Sequence, residues 1–111
     1  MQFVKSGDIY KVARITGTQD NLLGVTLCEH QGEVELVALE SRGGAKVSAE
    51  PEEVLRQVTA GLADVNRELG TNYCLSKIFY LPGESATNLV YTLLIVALVR
   101  KIEAGEIAEA S

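Results

Sequence analysis

The only histidine, His30, stands between Glu29 and Glu33, and it is the first place where this chain could do chemistry. An imidazole flanked by carboxylates can serve as a general base or a metal ligand, but either role needs partners fixed around a pocket. His30-Gln31-Gly32 reads as a tight hairpin turn, which spreads both carboxylates into solvent. No metal site is assigned. Ser85 is the second candidate, with Gly83 two residues before it, as a strand-to-helix nucleophile turn requires. Thr87 fills the place of the second glycine, and the histidine lies in a distant turn, so Ser85 or Thr87 reads as a helix cap. Arg42-Gly43-Gly44-Ala45-Lys46 combines flexible amides with two cations, making Arg42 and Lys46 candidate anion-binding residues. That run lacks the spacing of a nucleotide-binding loop. Tyr80, Asn88 and Tyr91 flank one strand-to-helix turn and form a candidate small-molecule pocket. No catalytic residue and no cofactor emerge from these candidates.

Composition narrows the function classes. The 111 residues fit one domain, taken as residues 1–111, and a chain of this length can bury a real core without staples. Hydrophobic residues make up 47% and charged residues 23%, which argues against extended disorder. Fifteen Asp and Glu against ten Lys and Arg give a net charge of −5. A phosphate-neutralising basic patch is absent, so nucleic acid is not an expected partner. An acidic surface instead steers basic partners. Cys28 and Cys74 have no paired spacing and read as small buried hydrophobes of a reducing compartment, with a bridge between them as the lesser alternative. The start, Met1 to Asp8, lacks an apolar core of signal-peptide length, so a cytoplasmic location is expected.

The elements that must position these residues follow from periodicity. Ile9–Thr16, Leu22–Glu29 and Glu33–Glu40 read as three strands of an antiparallel meander; Leu23, Val25 and Leu27 mark one face of the second. Pro51 with Glu52 and Glu53 opens a helix whose apolar residues recur at Val54, Val58, Leu62, Val65 and Leu69. Its polar residues, Arg56, Gln57, Asp64, Asn66 and Arg67, are expected to face water. Gly70 stops it. Tyr73–Leu81 reads as a fourth strand, apolar on both faces and therefore interior to its sheet. A last helix runs to about Ala104. The expected fold is α+β, in the order βββαβα: a four-stranded, mostly antiparallel sheet with two helices packed on one face. If the third and fourth strands are parallel, they and the first helix make a right-handed crossover; sequence leaves their direction open.

The last helix carries the functional expectation. From Leu89 to Val99 only Thr92 is strongly polar, and eleven residues are too few to cross a bilayer. A helix apolar all round is normally buried all round. One sheet and one neighbouring helix leave part of it, assigned to Val90, Leu94 and Ala97, to be covered by the same chain, a second copy or another protein. About 600 Å² of such surface would be worth on the order of 15 kcal/mol before association costs. The expectation is a non-catalytic, homodimeric protein-binding module of bacterial type, with Glu33 and Glu35 facing a basic partner. That is the physical profile of an inhibitor or immunity protein covering the basic active site of a toxin. The alternative is a small-molecule-binding protein or enzyme built on the cleft around Tyr80 and Tyr91.

Overall fold

A computed structural model describes residues 2–16, 19–30, 32–39, 51–80 and 89–107, with backbone alone for residues 14–16 and 19–21. Five strands and two helices follow one another: β1 (Gln2–Ser6), β2 (Ile9–Thr16), β3 (Gln19–Cys28), β4 (Glu35–Ala38), α1 (Pro51–Leu69), β5 (Cys74–Tyr80) and α2 (Val90–Ala104). The sheet order is β1-β2-β3-β5-β4, with β4 parallel to β5 and the other pairings antiparallel. The α+β class agrees with the sequence, but the sheet is five-stranded and mixed. Two corrections explain the difference. Gln2–Ser6 pairs with β2 as an added edge strand, and β4 does not form a hairpin with β3. Instead the chain passes β5's place and lands on its far side, so that β4 and β5 become parallel neighbours joined through α1. β5 is interior, as its two apolar faces demand.

Register separates the two faces of the sheet. Val12 pairs with Leu23 and Leu23 with Tyr80; Tyr10 pairs with Val25, Val25 with Ile78, and Ile78 with Leu36. Val12, Leu23, Val25, Ile78 and Tyr80 are all buried, and they form one core with the inner faces of both helices. The opposite face carries Val4, Ile9, Leu22, Val37 and Phe79, which are half-buried and lie outside that core. The side-chain period of two is what sorts them.

The two helices run in the same direction and meet closely. α1 buries Val54, Gln57, Val58, Gly61 and Val65. Gly61 allows the approach, because a Cβ there would lie 2.5 Å from Ile95 Cγ2 and 2.8 Å from the Thr92 carbonyl oxygen. α2 buries Val90, Tyr91, Leu94, Ile95, Leu98 and Val99, a stripe recurring every three to four residues. Gly105 ends it in the left-handed conformation at φ 68°, and its N–H and that of Glu106 satisfy late carbonyls.

Gln57, expected to face water, is only 1% exposed. Its side-chain carbonyl accepts the backbone N–H of Tyr91 at 3.0 Å, and the Thr92 hydroxyl donates to its main-chain carbonyl at 2.9 Å. The first N–H groups of a helix lack partners within it, so α1 supplies the N-terminal cap of α2. Residue Leu89 at the cap makes no side-chain hydrogen bond; Ser85 and Thr87 lie outside the described residues. Replacing Gln57 by Leu keeps volume but strands a buried N–H. A loss of about 1–3 kcal/mol is expected in denaturant unfolding, and an unchanged midpoint would refute the cap.

Candidate functional site

The sequence-derived candidates separate on the structure. His30, Glu29, Glu33 and Glu35 are exposed, and no group of metal-ligating side chains occurs among the described residues. Tyr80 and Tyr91 are 4% and 0% exposed and belong to the core; the turn between them, which would complete the expected cleft, lies outside the described residues. Asn88, Arg42, Lys46 and Ser85 lie outside the described residues. Val90 and Leu94, 5% and 0% exposed, are covered by their own chain, and Ala97 is half-buried. The uncovered side of α2 lies elsewhere: Leu89 is 52% and Leu93 50% exposed. With Val96 and Ala97, both half-buried, they recur at helical spacing as an outward apolar stripe. Leu89 also sits at φ 54°, a left-handed backbone that costs a leucine about 1–2 kcal/mol.

A second feature lies at the Cys74 end of β5. Cys28 and Cys74 face each other in the β3–β5 register, with Cα atoms 5.4 Å apart, and are joined by a disulfide. They are therefore not the free hydrophobes expected. Disulfides persist in oxidising compartments, and the bond weighs against the cytosolic location expected from the sequence. Asn66, on the supposed water-facing side of α1, holds the next residue: its amide donates to the Tyr73 carbonyl and its oxygen accepts the Tyr73 N–H, both at 3.0 Å. Thr71 donates to the same oxygen at 2.8 Å. One side chain thus imitates a strand partner at the entrance to β5. Beside it, a cavity of about 230 Å³ opens between α1, β5 and the Gly32–Val34 link.

The Tyr73 hydroxyl donates to Glu103 at 2.5 Å, tying β5's entrance to the end of α2. That hydrogen bond, reinforced by partial burial and the carboxylate's charge, raises its pKa from the usual 10 to about 12. Because the folded pKa exceeds the unfolded one, the contact's stabilisation is complete below pH 10 and is lost as pH rises through about 12. Replacing Tyr73 by Phe should remove a tyrosinate transition near pH 12 from an ultraviolet titration and flatten the alkaline fall in stability over this interval. A transition near pH 10 for Tyr73 would refute the assignment.

No protein-family model, no curated protein and no solved structure matches this chain. Its chemistry therefore has to be read from its own surfaces. Of the three residues the sequence assigned to the uncovered side of α2, Val90 and Leu94 are buried and Ala97 is half-buried. The signal that distinguishes the sides is the pairing of buried positions: 90/91, 94/95 and 98/99 all belong to the core, Val96 packs at its edge, and 89, 93 and 97 lie outside it. Gln57 had a comparable signal, since it lies one turn after Val54 and one turn before Gly61 on the buried face.

Proposed function

We propose that the chain is a non-catalytic protein-binding module that pairs with a second copy through the outward stripe of α2 and presents its acidic surface to a basic partner. An inhibitor or immunity-type role fits that profile. The observation that carries the reading is the pair Leu89 and Leu93, each about half exposed and together the exposed large apolar residues among the described residues. Leu89 accepts a left-handed backbone as well, so neither local conformation nor burial within the chain favours a leucine there. No charge occurs from Leu89 to Val99. A two-fold axis through Leu93 would lay Leu89 against Ala97 of the other copy with no like charges opposed.

Magnitudes decide what kind of dimer this is. Finishing the burial of a half-exposed leucine is worth about 1 kcal/mol, so four of them supply about 4 kcal/mol. Association costs at least that much. The leucines alone therefore only balance that cost, and a pair that forms at about 1 mM needs about 4 kcal/mol more, from burial of Val96, Ala97 and the adjoining helix surface on both copies. Such a pair is weak rather than obligate, because Val90 and Leu94 are already used within the chain. Leu93→Glu should leave folding intact, since the site is exposed, and abolish pairing in light scattering. Retention of a two-chain mass would refute this interface. Glu33 and Glu35 lie on the link before edge strand β4 and on the strand itself; Lys77 already stands 3.9 Å from Glu35. For the basic partner, their reversal to Lys should weaken binding and flatten its salt dependence.

The small-molecule alternative gains no support from Tyr80 and Tyr91, whose side chains are core residues. What favours a ligand is the separate cavity beside Asn66.

A further inference from the structure

The cavity at the Cys74 end of β5 lies between α1, β5 and the Gly32–Val34 link. Its floor is Leu75 and Ile78 of β5, its outer wall is Val34 of the link, and its helical wall is Leu62 with Asn66 and Thr59. Its volume, about 230 Å³, exceeds the roughly 150 Å³ that accepts benzene in an engineered apolar cavity. Among the described residues no charged side chain lines it, so an ionised ligand would lose its hydration without a compensating partner. Asn66 clamps the main chain of Tyr73, and the Cys28–Cys74 disulfide clamps the adjoining strand ends. Both constraints fix the β5 side of the cavity before anything binds, which reduces the ordering cost of binding there.

We propose that this cavity is a binding site for a small, neutral, ring-shaped apolar molecule of about the size of indole, with Thr59 at its rim as the polar contact. The site is independent of the pairing proposed through α2, which lies on different residues. Two helix positions separate lining from mere proximity. Ala63 and Ala60 are both exposed on α1, but only Ala63 lines the cavity.

The test is a titration of isotope-labelled protein with indole, followed by amide chemical shifts. Saturable shifts are expected at Leu62, Asn66, Tyr73 and Leu75, with a dissociation constant of about 1 mM or tighter. Ala63→Trp, which places an indole ring at the mouth, should weaken binding by about ten-fold or more, and Ala60→Trp should leave it unchanged. Indole carboxylate, titrated into the unmodified protein, should bind about ten-fold more weakly than indole, and this arm does not depend on any variant folding. Absence of saturable shifts, equal binding of the charged and neutral probes, or undiminished binding by a folded Ala63→Trp protein would each overturn the proposal.

Discussion

Breaking the Cys28–Cys74 bond, by reduction or by replacing both cysteines with Ser, should lower stability by about 4 kcal/mol and the melting temperature by on the order of 15 °C. The two cysteines are 46 residues apart in sequence, and the closed loop contains β4 and all of α1. Cross-linking so long a loop removes many unfolded conformations. The folded state changes little, because the β3–β5 ladder already holds the two Cα atoms 5.4 Å apart. Circular dichroism of the reduced protein should therefore keep its native shape at low temperature while the transition moves down. Since a domain of this size has only about 5–15 kcal/mol of stability in total, the effect is large. A shift of a degree or two, with two titratable thiols in the untreated protein, would show that the bond does not form in solution.

Gly61→Leu should cost about 3 kcal/mol or more, and even Gly61→Ala should destabilise. The sign is the informative part. In an ordinary helix interior, glycine to alanine gains about 1 kcal/mol through propensity. Here the added Cβ would lie 2.5 Å from Ile95 Cγ2 and 2.8 Å from a backbone oxygen of Thr92. Ile95 can rotate; the carbonyl of α2 can move only if the helices separate, and over-packing of that kind costs about 1–3 kcal/mol. Separation would also lengthen the hydrogen bonds from Tyr91 and Thr92 to Gln57. Denaturant unfolding of the alanine variant gives the result directly. A stabilised Gly61→Ala protein would mean that α1 and α2 are not in this contact.

The parts of the fold that sequence made legible are those written in local periodicity. Alternation at Leu23, Val25 and Leu27 marks β3, and the four-residue recurrences from Val54 to Leu69 mark α1. Pro51 and Gly70 punctuate α1 where they were expected to, and α2 ends at Ala104 as expected. What failed was long-range pairing. His30-Gln31-Gly32 has the composition of a hairpin turn, yet nothing local records that the strand after it lands on the far edge of β5. Phe3-Val4-Lys5-Ser6 is too short for alternation to stand out, and β1 becomes a strand only through the register offered by β2. The cysteines met because β3 and β5 are neighbours, a fact absent from a 46-residue spacing. The candidate site suffered likewise. Gln57 and Asn66 look like solvated helix residues until the elements they cap are in place, and the outward side of α2 depends on where the helix starts.

Sedimentation equilibrium of the unmodified protein and of Leu93→Glu, from about 10 μM to about 1 mM, tests the proposed pairing most directly. The stripe of Leu89, Leu93, Val96 and Ala97 predicts a mass rising from one chain towards two in the unmodified protein and staying at one chain in the variant. A single-chain mass throughout the range, or a two-chain mass that survives the charge, would contradict it.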